Sequence, residues 1–214
     1  MNNTIYTIGY SGINIKDFIL ILKRYKISCL VDTRSVPYSK HFINFNKNIL
    51  ETTLKNNNIE YRNYYKEFGA RQDNRIFYSE DGYLDFSKFV KSSIFISGID
   101  KIKKEMDLGY TFILMCSEKD PIDCHRSIMV AREFYKKGYN IINILYDKNN
   151  IIEYTQTDIE NRLLDRYFSE RGQGLLFDNM DLSRKSLIDI AYKKRNIEIG
   201  YRYNKNEYLY DRVQ

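Results

Sequence analysis

The chain has 214 residues, 43% of them apolar, and a formal net charge of +6. That length suits one well-packed domain with a small appendage, and the apolar content argues against a disordered chain. No apolar run approaches the ~20 residues that a membrane span needs, so no membrane partner is expected; the positive balance is compatible with an anionic ligand or nucleic acid, or with a merely basic surface.

The predicted elements run as follows. Thr4 to Ile8 reads as a strand, stopped by Gly9-Tyr10-Ser11-Gly12. Asn14 to Lys26 is amphipathic, with Ile15, Phe18, Ile19 and Leu22 at helical spacing. Ser28 to Val31 is a short apolar run, expected to be a strand buried on both faces and ended by Asp32-Thr33-Arg34. Lys47 to Asn57 predicts a helix and Ile59 to Tyr64 a third strand; residues 65–82, charged and carrying Gly69 and Gly82, predict a long loop of the functional kind. Leu84 to Ile96 and Asp100 to Asp107 predict two helices broken near Gly98, with Gly109 as the stop. Thr111 to Met115 is the fourth strand. Asp123 is a candidate N-cap for a helix reaching Lys137 and closed by Gly138, and Asn140 to Leu145 is the fifth strand. Beyond it, Asp158 to Phe168 and Leu182 to Lys194 predict helices, joined by a linker at 169–181. The order implies an α/β fold: a mostly parallel sheet of about five strands with helices on both faces, plus a C-terminal helical or irregular extension. Residues 1–150 form the expected domain, and 151–214 the extension, packing on the core or on a partner.

Three cysteines, an odd number, do not make a disulfide framework. The chain enters a strand-like run directly, without the look of a signal peptide, and a reducing cytoplasm is the expected setting. Oligomeric state is left open.

Parallel strands deliver their C-terminal ends to one edge of a sheet, where ligands bind. Here the first strand delivers Gly9, Tyr10 and Ser11, the second Asp32 and Arg34, and the fourth Cys116, Ser117 and Glu118. Glycines at 9 and 12 would let backbone N–H groups approach an anion, or make an ordinary tight turn. Asp32 and Arg34 are candidates for catalysis and anion binding, or for a structural ion pair. Cys124, His125 and Arg126 fall on the first turn of a helix, where unpaired N–H groups and the dipole favour a thiolate or a bound anion.

Three site chemistries compete. One thiolate could be a nucleophile, with His125 or Glu118 handling protons. Cys116, Cys124 and His125 could bind a metal, but Cys-x7-Cys-His is not a standard zinc spacing and no fourth ligand is evident, so no metal is assigned. Arg126 and the helix N-terminus could hold a phosphate beside structural cysteines. A redox pair would lack the C-x-x-C geometry. Cys29, inside a strand, reads as a core residue.

Thr7-Ile8-Gly9-Tyr10-Ser11, Asp32-Thr33-Arg34-x-x-Pro37-x-Ser39 and Cys116-x-Glu118-x-x-Pro121-x-x-Cys124-His125-Arg126 together resemble the DUF488 family, over roughly residues 4–148 with Glu160 to Leu164 as an extension. Lesser agreements are Ile59-Glu60-Tyr61, preceded by Asn58 where the family usually has a glycine, and Phe68-Gly69 for Leu-Gly; Ala70 stands where a second glycine is common. The resemblance implies an α/β domain. It carries Tyr10, Ser11, Asp32, Arg34, Cys116, Glu118, Cys124, His125 and Arg126 as a signature, without naming a reaction.

The expected function is therefore an enzyme acting on an anionic substrate (phosphate-containing, nucleotide or nucleic acid) at the C-terminal sheet edge. A cysteine-dependent transferase or hydrolase is the class its residues admit. Cys116, Glu118, His125 and Asp32 are the catalytic candidates; Gly9, Tyr10, Ser11, Arg34, Cys124 and Arg126 are the binding candidates. No cofactor is assigned. The alternative is a non-catalytic nucleic-acid or nucleotide-binding module using the interleaved Tyr and Arg of Tyr192 to Arg212.

Overall fold

The computed structural model describes residues 3–148, 150–168 and 183–203. Its centre is a sheet of strands β1 (Thr4–Gly9), β2 (Cys29–Asp32), β3 (Glu60–Asn63), β4 (Phe112–Cys116), β5 (Asn140–Asp147) and β6 (Asn150–Thr155), in the order β3-β2-β4-β1-β5-β6. The first five are parallel; β6 runs antiparallel to β5 and was not expected from the sequence. Its composition, Asn-Ile-Ile-Glu-Tyr-Thr, is mostly exposed, as befits an edge strand.

Buried side chains alternate along the central strands. Cys29, Val31, Phe112 and Leu114 point into one core layer, and Leu30, Ile113 and Met115 into the other. This period-two arrangement turns a continuous apolar run such as Phe112–Cys116 into two cores. Helices α1 (Ile15–Arg24) and α2 (Lys47–Lys55) cover the second layer. Asn14 caps α1 by accepting from the Asp17 N–H at 2.9 Å, and Phe18, Ile19, Ile21 and Leu22 form its buried stripe.

The other layer is covered by α3 (Tyr65–Phe68), α4 (Phe86–Phe89), α5 (Ser93–Asp107), α6 (Arg132–Lys136), α7 (Gln156–Phe168) and α8 (Arg184–Ile199). The expected break near Gly98 is absent: α5 runs through it, and the interruption lies before Ser92, whose hydroxyl caps α5 at the Phe95 N–H. Gly98 is a packing residue. A Cβ there would stand 2.7 Å from Glu67 Cβ and 2.9 Å from Phe68 Cε1. The expected loop at 65–82 likewise holds α3 and a 3-10 turn at Arg75–Phe77, with Phe68 and Tyr78 buried.

The predicted linker at 169–181 and residues 204–214 of the terminus lie outside the described residues. Helix α8 extends past the predicted Lys194 to Ile199, and its Arg195 and Asn196 are buried against the core. No helix among the described residues is long and apolar enough to cross a membrane.

Candidate functional site at the C-terminal edge of the sheet

The ends of β1, β2 and β4 meet as the parallel topology requires. Gly9 is in register with Cys116 and Asp32 with Met115. The pairing continues beyond the strands: Tyr10 and Ser11 N–H donate to the carbonyls of Cys116 and Ser117 at 3.1 Å each, and Thr33 N–H to Met115 at 3.0 Å. The Tyr10 and Ser11 N–H groups are thus engaged within the protein, so they do not form the anion nest that the glycines suggested. Gly9 has a different reason. A Cβ at that position would lie 1.8 Å from the Glu118 carbonyl oxygen, which packs directly on its Cα. Arg126 Nη1 donates to the same oxygen at 2.6 Å, and Nη2 to the Lys119 carbonyl at 3.3 Å. Arg126 is fully buried. It clamps the segment after β4 and does not face the cavity, contrary to the phosphate-binding expectation.

The helix expected from Asp123 is built otherwise. Asp120 caps a 3-10 turn at Pro121–Asp123 by accepting from Ile122 N–H at 3.0 Å. The chain then enters a π-helical stretch, Arg126–Ala131, before α6. π-Helical turns are rare and concentrate at functional sites. Asp123 does not cap; its carboxylate pairs with Arg195 of α8. Arg162 of α7 grips Asp120 through two hydrogen bonds of 3.0 and 2.6 Å.

This framework brings four reactive side chains together. Cys116 and Cys124 thiols each lie 3.0 Å from the same oxygen, Glu118 Oε2, and each sulfur is 3.9 Å from His125 Nδ1. The far ring nitrogen, Nε2, is 3.0 Å from the Thr33 carbonyl oxygen, a pairing that makes Nε2 the donor and turns Nδ1 toward the sulfurs. One donor atom from each of the four residues falls within 4.8 Å of all the others. Glu118 is the fourth potential ligand that spacing alone did not disclose.

The electrostatics of the cluster are collective. Burial opposes ionisation of Cys116, but its hydrogen bond with Cys124 and the charge of His125 outweigh it and lower its pKa below the usual thiol value. Burial pushes Cys124 the other way, reinforced by Cys116. Burial would lower the pKa of His125, yet Cys116 and Glu118 raise it to about 9. Burial would likewise raise Glu118, but the His125 charge and the two thiol contacts bring it to about 2.

Asp32 and Arg34 form a buried pair. Arg34 Nη2 donates to Asp32 Oδ2 at 2.6 Å and to the Phe45 carbonyl at 2.8 Å, while Nε contacts both carboxylate oxygens. Tyr61 hydroxyl and the Arg34 N–H complete the partners of Asp32. The fully buried Asp32 therefore stands behind Arg34 as its anchor. Arg34 Nη1 donates to the Tyr10 hydroxyl at 3.2 Å, and the Tyr10 ring stacks on Phe45 at 4.4 Å.

A cavity of about 430 Å³ opens above these groups, with Tyr10, Arg34, Cys116, Glu118 and His125 among its lining. Of the remaining predicted site residues, Gly9, Asp32, Cys124 and Arg126 are buried and do not line it, and the half-buried Ser11 does not line it either. Two contributors were not anticipated. Arg71, exposed in the segment after α3, places its guanidinium 4.6 Å from the ring centroid of Tyr201, which follows α8. Its N–H donates to Ser35 Oγ at 2.8 Å, and among the described residues its guanidinium has no carboxylate partner. The only signal for Arg71 in the sequence was its place in the charged 65–82 segment.

The Tyr/Arg tail fares differently. Tyr192 is buried; its hydroxyl accepts from Gln156 Nε2 at 2.8 Å, and Arg132 lies 3.7 Å from its ring centroid. It is a core residue, unavailable for stacking on a base, and residues 204–212 of that tail lie outside the described residues.

Comparison with curated proteins and with solved structures returned no match. The profile of one family, described as a domain of unknown function, matches residues 14–132, a span that holds Asp32, Arg34, Arg71 and the whole Cys116–Arg126 segment. That match covers more than half of the chain, and the protein belongs to the DUF488 family.

Proposed function

We propose that the chain is an enzyme acting on a small anionic substrate, phosphate-containing or nucleotide, in the cavity above Cys116, Glu118 and His125. The observation that carries this reading is a single one: an arginine without a carboxylate partner among the described residues, Arg71, lines the same cavity as a thiol, a carboxylate and an imidazole. A guanidinium so placed suits bidentate binding of a phosphate or carboxylate. Arg34 also lines the wall, its charge matched by Asp32, which holds it still. Glu118 and His125 are the groups within reach to move protons at the reacting centre, and Cys116 shares the floor with them.

Calorimetric titration at low ionic strength tests this, with phosphate, pyrophosphate, ribonucleotides and short single strands as ligands. At least one is expected to bind, and Arg71→Ala is expected to weaken it about tenfold or more, the worth of a charge-assisted hydrogen bond. If none binds the wild-type chain, the reading is lost. Strands that bind with steep salt dependence and remain unconverted would favour the non-catalytic module.

A further inference from the structure

We propose that Cys116, Glu118, Cys124 and His125 bind a borderline-soft divalent cation of the zinc class on the floor of the cavity. The donor set is mixed in the way such ions accept: two sulfurs, one imidazole nitrogen and one carboxylate oxygen.

The geometry is close to the required one. Tetrahedral zinc with metal–ligand distances of about 2.0–2.3 Å has ligand–ligand edges of roughly 3.4–3.8 Å. Four of the six edges here are 3.0, 3.0, 3.9 and 3.9 Å, and the sulfur–sulfur and nitrogen–oxygen edges are no longer than 4.8 Å. Shifts of about half an ångström bring those four into range. The 3.0 Å contacts bring each sulfur against the Glu118 carboxylate, and a cation bound between them, displacing any remaining thiol proton, would lengthen both. The 3.9 Å sulfur–nitrogen separations are long for hydrogen bonds and near the edge of a coordination polyhedron.

Surrounding contacts hold these donors as a metal site would. His125 Nε2 is tied to the Thr33 carbonyl, the usual outer-sphere partner of a ligating imidazole, so that Nδ1 is the donor atom left. Arg126 and the bare Cα of Gly9 fix the backbone of Glu118. Charge points the same way. Two potential thiolates and a carboxylate surround one imidazole, and a divalent cation neutralises most of that negative charge. Cys116, Cys124 and His125 are buried while Glu118 is exposed and lines the cavity. Glu118 is therefore the ligand that a substrate oxygen or water can displace, which leaves the open position of a catalytic-type site.

A bound cation takes the lone pairs of Glu118 and His125, so the proton transfer proposed for them belongs to the metal-free chain, and metal binding is read from the ion and not from turnover or phosphate affinity. The reduced full-length chain is stripped with chelator, desalted, loaded with Co²⁺ or Zn²⁺ and desalted again. One equivalent per chain should remain by elemental analysis. The cobalt form should show sulfur-to-cobalt charge transfer in the near ultraviolet and the strong visible bands of tetrahedral cobalt. Cys124→Ser should lose about half of the charge-transfer intensity, in proportion to the thiolates remaining. The Cys116→Ser/Cys124→Ser double variant should lose all of it, and Cys29→Ser none. Should the double variant fail to fold, thiol labelling of the wild type, located by peptide mass spectrometry, decides: zinc should protect Cys116 and Cys124 relative to the stripped protein and leave the labelling of Cys29 unchanged. Retention below about a tenth of an equivalent by folded wild-type protein overturns the proposal. So does retention that survives the folded double variant, or conversion of Cys116 and Cys124 to a disulfide with no metal taken up.

Discussion

Neighbouring atoms decide what each residue in this cluster is for. Residue type alone would make Gly9 and Arg126 ligand-binding groups and Asp32 a catalytic one, yet all three contact the protein itself. Gly9 makes room for a carbonyl, Arg126 clamps that carbonyl, and Asp32 anchors Arg34. A buried pair such as Asp32–Arg34 is kept by its additional hydrogen bonds, here from Tyr61 and to Tyr10 and Phe45, which offset its desolvation. The cysteines separate on the same principle. Cys29, pushed up to about 12 chiefly by burial, stays a protonated thiol, whereas a lowered pKa keeps Cys116 ionised below the usual thiol range. In chelator-treated protein, alkylation of Cys116 should therefore stay fast as pH falls below about 8.5, the ordinary thiol value, while Cys29 stays unreactive throughout. Peptide mass spectrometry across pH measures both. A Cys116 rate that rises only above that value, as for a free thiol, would contradict its pairing with His125.

Elements show a second kind of control, in which packing overrides local preference. Glycine disfavours a helix by about 1 kcal/mol relative to alanine, so a break near Gly98 was a reasonable expectation. Instead α5 continues and uses the missing Cβ to press against α3. The two effects oppose one another in Gly98→Ala. Better helix propensity gains about 1 kcal/mol, while overpacking against the fully buried Phe68 costs about 1–3 kcal/mol. Net destabilisation is expected, because the contact involves a Cβ and a buried ring with little room to yield. A lower urea midpoint at unchanged slope would show it; a stabilised variant would mean that α3 moves freely. The entry to the helix after the cysteines follows the same logic. Ser127 and Ile128 N–H both bond to the Cys124 carbonyl where the chain enters the π-helical stretch, and Arg126 at its start reaches inward to the Glu118 segment.

At the scale of the whole molecule, the C-terminal helix is a structural partner of the cavity. Arg195 pairs with Asp123 and donates to the Ile122 carbonyl at 2.8 Å, next to the Cys124 turn. Asn196 accepts from Phe86 N–H at 2.9 Å and donates to the Leu84 carbonyl at 2.8 Å, while Leu84 N–H reaches the Tyr201 carbonyl at 2.9 Å. Tyr201 then stands beside Arg71 in the cavity wall. Asn196→Ala leaves a buried N–H and a buried carbonyl without their side-chain partner, each worth about 1–3 kcal/mol. A loss of about 2–4 kcal/mol in urea unfolding is expected, together with weaker anion binding as the Tyr201 segment loosens. Unchanged stability would show that α8 is held without this contact.

Five parallel strands, helices on both faces, and the meeting of Tyr10, Arg34, Cys116, Glu118 and His125 at one sheet edge were legible in the order of residues. These follow from hydrophobic periodicity and from the direction shared by parallel strands, both of which are local in the chain. Which charged groups face the cavity and which face the protein depends on contacts made after folding. Arg34 and Arg126 look alike as residues, but the one lines the cavity and the other is sealed behind it. Arg71, Tyr201, the unbroken α5 and the edge strand β6 also depend on contacts between segments far apart in sequence. Glu118 joins the two cysteines and the histidine for the same reason: its position comes from a clamp formed by Arg126 and from the space left by Gly9, and no spacing rule records either.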